Sequence, residues 1–171
     1  MRRILPLVAL LAACGSPIGP DSDAEALMVT DSAAYRLRPT WDDGVETTIA
    51  YAYSNRTGRA VSLPNCRGNV APDVDKWVNG RWVLAWSSPK DDCLSSPVTI
   101  ERGQVYRDEV RVSAWPSGSN IHPQFLVTPI TGRYRLVWED AVWNYDSSGP
   151  PWGDPVPLAA RVSNGFDLIE P

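Results

Sequence analysis

From Asp31 onward, hydrophobic and polar residues alternate with a period of two. Val45, Thr47, Ile49, Tyr51 and Tyr53 alternate with Glu46, Thr48, Ala50 and Ala52, the pattern of a half-buried strand. Tyr106, Asp108, Val110 and Val112 set against Val105, Arg107, Glu109 and Arg111 predict a second strand, and Tyr134, Leu136 and Trp138 a third. Asn55 to Gly58 reads as a turn leading into Arg59 to Leu63. Asn79-Gly80, between Lys76-Trp77-Val78 and Arg81-Trp82, is a strong hairpin signal, because both residues tolerate the positive φ of a type I′ turn. That turn sets Trp77 opposite Trp82. A second pair, Asn164-Gly165, flanked by Leu158 to Ser163 and Phe166 to Ile169, predicts a terminal hairpin. Helical spacing never lasts beyond a turn or two. With 16 prolines and 12 glycines spread along the chain, the pattern predicts an all-β sandwich or barrel of short strands.

The front of the chain is different. Arg2 and Arg3 precede an apolar run, Ile4 to Ala13, well short of the roughly 20 residues a membrane-spanning helix needs. Basic residues, a brief apolar core and then small residues make a secretory signal peptide, residues 1–13. Leu11-Ala12-Ala13-Cys14 resembles the lipobox of bacterial lipoproteins. The resemblance implies cleavage before Cys14, a lipid on its thiol and attachment to a membrane surface without spanning it. Gly15 after the cysteine implies an outer-membrane destination in the cell envelope, facing the periplasm or the exterior. Residues 14–30, rich in Gly, Pro, Ser and Asp with an apolar patch at Ala26 to Val29, read as a tether with a reach of about 22 Å. Residues 31–171 form the folded domain.

Three cysteines are an odd number for an exported protein,. With Cys14 carrying lipid, Cys66 and Cys93 are left as a pair in an oxidising compartment. A disulfide between them contributes about 3.5 kcal/mol by restricting the unfolded chain. The competing roles are a reactive thiol or a metal ligand.

Several segments together resemble a family: "N-x-T-G-x-x-V-x-L" at Asn55 to Leu63, Cys66, the strand Gly80 to Trp86, Cys93, Val98 to Tyr106, and Gly132 to Leu136. They look like small secreted bacterial proteins with an immunoglobulin-like sandwich. More loosely they are similar to the intracellular proteinase inhibitors of bacilli. The resemblance implies a single immunoglobulin-like antiparallel sandwich of about 7 to 9 strands with one disulfide. No inhibitory residue maps across, and export and paired cysteines depart from the bacillar group.

Charge and composition narrow the chemistry. The formal charge of −4 becomes more negative once Arg2 and Arg3 leave with the signal, which excludes the basic patch of a nucleic-acid binder. His122 is the single histidine, so neither a histidine-based triad nor a histidine-rich zinc site is expected. Asn144 to Gly149 imitates the first half of a calcium loop, but Pro155 stands where the bidentate Glu belongs,. No cofactor and no metal are expected. Asp42-Asp43, Asp73/Asp75, Asp91-Asp92 and Glu139-Asp140 are the carboxylate pairs available to a hydrolase.

Eight tryptophans are the strongest binding signal, because Trp buries a large area while keeping a polar N–H. Trp77, Trp82, Trp86 and Trp138 fall on predicted strands and read as core or cross-strand partners. Trp115, Trp143 and Trp152 fall in loops and are the candidate binding residues if they gather at one end of the sandwich. The expected function is a non-catalytic, membrane-anchored binding module for a protein or a surface polysaccharide. Its first rival is an extracellular proteinase inhibitor presenting the loop Trp115 to Thr131; its second is a hydrolase working through two carboxylates.

Overall fold

A computed structural model describes residues 26–90, 93–148 and 152–170. Cys14 and the remainder of the signal and tether before residue 26 lie outside the described residues, as do Asp91 and Asp92.

The first layer is built on β4 (Val45–Ser54), whose inward residues Thr47, Ile49, Tyr51 and Tyr53 are buried while their neighbours are not. β9 (Val105–Ala114) pairs with it along its full length, from Val45↔Ala114 to Ser54↔Val105. On its other side lie β1 (Met28–Thr30) and β3 (Arg38–Pro39). The second layer runs β2 (Ala34–Arg36), β13 (Phe166–Ile169), β10 (Gly132–Val137), β6 (Asp73–Val78), β7 (Arg81–Trp86). A third sheet, β12 (Asp154–Pro155), β11 (Val142–Trp143), β5 (Val61–Asn65), β8 (Ser95–Ile100), is joined to β4 and β9 through the corner at Asn55. One hydrophobic core lies between the layers, with Ile49, Tyr53, Val112 and Val74, Tyr134, Leu136, Phe166 all at 2% exposure or less. The architecture is an all-β sandwich,.

Asn55 explains how the first layer turns its corner. It is 1% exposed, and its amide donates to the carbonyls of Arg59 and Ile100, both at 2.7 Å. Its Oδ1 accepts from the Thr57 N–H and hydroxyl. Four bonds from one side chain lock the Asn55–Gly58 turn.

The Asn79-Gly80 hairpin forms as its sequence predicts. Both residues have positive φ (49° and 83°), β6 pairs with β7, and Trp77 sits opposite Trp82 with ring centroids 5.1 Å apart. The second Asn-Gly pair does not make a hairpin. Leu158–Ala160 is a 3-10 turn following Pro155 and Pro157, which have no N–H to give to a ladder. The side chain of Asn164 is taken by a distant strand, accepting from the Thr30 N–H at 2.8 Å and donating to the Thr30 hydroxyl at 3.0 Å. β13 therefore becomes an interior strand between β10 and β2. Two further expectations change. The β2–β13 pairing is parallel, so the sandwich is not wholly antiparallel. Met28–Thr30, read as the end of the tether, is β1, with Met28 fully buried and the Leu27 carbonyl bonded to the Ser54 N–H at 2.8 Å.

Candidate functional site

The Val45 end of β4 carries the most exposed indole among the described residues. β3 hands over to β4 through a tight turn in which the Thr40 N–H bonds the Gly44 carbonyl at 2.9 Å. The Thr40 hydroxyl donates to the Asp42 carboxylate, and Asp43 takes a left-handed φ of 62°. Gly44 is buried there, and a Cβ would lie 2.7 Å from the Thr40 hydroxyl oxygen and 3.3 Å from the Ala114 carbonyl oxygen. Trp115 pins the turn from β9, its indole N–H donating to the Asp42 carbonyl at 3.0 Å. What this rigid turn presents is Trp41, 96% exposed.

Beside Trp41 opens a concavity of about 330 Å³, lined among others by Asp42, Glu46, Arg111, Ser113 and Trp115. Arg111 donates to Glu46 through Nη2 at 2.5 Å and Nε at 3.2 Å, and this bond holds its guanidinium above its ordinary pKa. The polar part of the lining is thus paired, and Trp41, Trp115 and Pro39 supply its apolar part.

The loop after β9 completes this end. Its base is closed by Trp115 N–H to the Pro123 carbonyl (3.0 Å) and Phe125 N–H to the Trp115 carbonyl (2.9 Å), with Phe125 fully buried. Gln124 braces the tip from inside, accepting from the Gly118 N–H and donating to the Ser119 carbonyl. Lys76 holds the far limb by donating to the Pro129 carbonyl; burial lowers its pKa. Ile121 and Leu126 are exposed. A second open concavity, about 390 Å³, lies between Ser87–Pro89 and His122–Leu126.

The three tryptophans singled out by the sequence do not form one cluster. Trp115 is at the Val45 end. Trp143 lies in β11, paired with Asp154, with the Arg59 guanidinium 5.1 Å over its ring. Trp152 stacks on Tyr145 in the same hairpin, rings 6.1 Å apart and 7° from parallel. That hairpin sits beside the Asn55 corner, away from Trp115 by about the 30 Å length of β4. All three are half-buried. The most exposed indole, Trp41, falls outside the sequence candidates. Its signal was the turn Asp42-Asp43-Gly44 directly after it.

Of the strand tryptophans, Trp77 and Trp82 are half-buried partners across the hairpin, and Trp86 and Trp138 belong to the core. Trp138 is 3% exposed and donates to the Val70 carbonyl at 3.1 Å; Trp86 is 2% exposed and donates to the Ser113 carbonyl. Cys66 and Cys93 are joined as a disulfide. Next to it, Asn69 donates to the Ser88 hydroxyl and the Pro89 carbonyl at 2.7 Å, so the segment after β7 is fixed on the turn after β5. Of the candidate carboxylates, Asp73 pairs with Lys90 at 3.2 Å and Asp75 with Arg135 at 2.9 Å. Glu139 pairs with Arg161, while Asp140 is 3.8 Å from Lys90. His122 is an exposed loop residue. In the calcium-like segment, Asp146 accepts from the Ser148 N–H and hydroxyl, and Asn144 donates to Asp154. Among the described residues no group of three or more His, Cys, Asp and Glu is placed to hold a metal. No protein-family profile and no curated protein sequence matches the chain.

Proposed function

We propose that the protein is a non-catalytic binding module, anchored in the cell envelope by a lipid on Cys14, that meets its partner with the Trp41 end of the sandwich. The observation that carries it is a 96% exposed indole on a turn braced by hydrogen bonds from Thr40 and Trp115. The backbone of the turn is already braced, so burying the large Trp41 ring against a partner costs little main-chain freedom. Crosslinking in the native envelope tests the proposal: wild-type chain captures a partner, and Trp41→Ala does not. Equal capture by both would refute this placement of the site. The anchor is tested separately. Cys14→Ser is expected to abolish palmitate incorporation and release the protein from membranes; continued membrane attachment would count against lipidation.

A second reading, an extracellular proteinase inhibitor, draws support from the loop Trp115 to Thr131. The brace from Gln124 pre-shapes its tip, and Ile121 is 48% exposed. Stoichiometric inhibition of a serine, cysteine or metallo-protease by the purified protein, lost on shortening residues 117–121, would favour that reading over the first.

A further inference from the structure

Resting on the binding-module reading, we infer that the ligand of the Trp41 concavity is a neutral polysaccharide, gripped with a pyranose ring flat against Trp41. A pyranose is amphipathic in a particular way: its axial C–H bonds make an apolar face, and its hydroxyls form a polar rim in the ring plane. An electron-rich indole face attracts those polarised C–H groups. The site offers the matching pair of surfaces. Trp41 is an open ring whose apolar neighbours in the concavity are Pro39 and the half-buried Trp115, set among polar groups rather than in a broad apolar patch,. Around it stand hydrogen-bonding groups instead: the carboxylates of Asp42 and Glu46, the Arg111 guanidinium and Ser113. Carboxylates accept from sugar hydroxyls, and guanidinium N–H groups donate to them.

Charge selects among sugars. Arg111 is the one cation lining the concavity and is already bonded to Glu46, and Asp42 adds a further negative charge. The lining carries one net negative charge, with the exposed Arg38 directly opposite Glu46 in the ladder, so it offers no cationic cradle for an anionic polymer and nothing that opposes a neutral one. Its volume, about 330 Å³, is at the small end of the ligand-site range. Because the concavity is open, a chain can lie across it with one or two rings engaged and the rest continuing past.

The experiment uses the full chain in detergent, titrated with the neutral hexasaccharides of cellulose, chitin and amylose and with an oligogalacturonate as the anionic control, while tryptophan emission is followed. At least one neutral probe is expected to shift the emission and saturate at millimolar concentration or below. Trp41→Ala should weaken its binding about tenfold or more, Trp41→Phe should recover part of it, and Trp152→Ala at the other end should leave it unchanged. Absence of binding by every neutral probe, tighter binding of the oligogalacturonate, or full affinity in Trp41→Ala would overturn the inference. A photoreactive residue in place of Arg38, exposed on β3 beside the turn, leaves Trp41 in place and, activated in intact envelopes, separates the two levels. Capture of a polypeptide in the absence of sugar binding overturns the polysaccharide and keeps the binding module; capture of nothing, with no sugar bound, removes both.

Discussion

The two ends of the sandwich use the same residues for opposite purposes. At the Asn55 corner the aromatic rings pack on one another, Trp138 against Tyr51 and Tyr53, Arg59 over Trp143 and Trp152 on Tyr145, with Asn55 in four hydrogen bonds, although the Tyr51 and Tyr53 hydroxyls and the Trp143 N–H are buried without a partner. At the Val45 end the hydrogen bonds brace a turn and a loop from within, and the surface they hold up, Trp41, Ile121 and Leu126, faces water. One end spends its chemistry on closure and the other on presentation. Composition alone cannot separate the two, because a tryptophan is core or contact according to whether the fold supplies it a partner.

The sharpest way to break this comparison is alkali. Burial pushes Tyr53 up to about 12, and burial with help from Asp31 does the same to Tyr35; Tyr51, Tyr106 and Tyr134 are raised as well, chiefly by burial. In the unfolded chain these groups titrate near 10. Between pH 10 and 12 the unfolded state therefore sheds protons that the folded state keeps, and stability falls as pH rises. Tyr53 alone accounts for about 3 kcal/mol of that loss. Denaturant midpoints should be flat up to pH 10 and then collapse, with most of the tyrosinate absorbance appearing as the protein unfolds. Ionisation of Tyr51, Tyr53 or Tyr106, followed by site-resolved NMR in a still-folded protein, would contradict the closed corner.

Next in size is Trp138→Ala. It removes a buried ring that touches three tyrosines and is expected to cost about 4 kcal/mol in chemical denaturation. Asn55→Ala follows at about 3 kcal/mol, because it strands the buried Ile100 carbonyl and frees the Thr57 turn. The smallest effect belongs to the other end: Trp41→Ala should leave the melting temperature within the scatter of surface substitutions, about 0.5 kcal/mol. If Trp41→Ala destabilised the domain as Trp138→Ala does, the distinction between the ends would fail.

Much of the fold was legible in the sequence where the signal is local. The alternation in Val45–Ser54 and Val105–Ala114 marks the two long strands, since each buries one face, and Asn79-Gly80 fixes its hairpin through backbone freedom alone. Asn164-Gly165 carries the same dipeptide and misleads, because its side chain answers to Thr30, 134 residues away in the chain. The parallel β2–β13 pairing is equally remote and leaves no local trace. Cys66 and Cys93 were legible by counting. The candidate site was only half so: Trp115 was singled out, but its partner Trp41 required knowing that no layer of the sandwich covers the turn at Asp42.

The carbonyl bond from Leu27 to Ser54 fixes where the polypeptide enters the domain, and it does so at the Asn55 corner. Under the proposed acylation of Cys14, the corner is then the foot of the molecule and β4 its mast. The Trp41 turn lies at the opposite end of β4, about 30 Å along the strand from that point of entry, so attachment of the chain at the corner leaves it unobstructed.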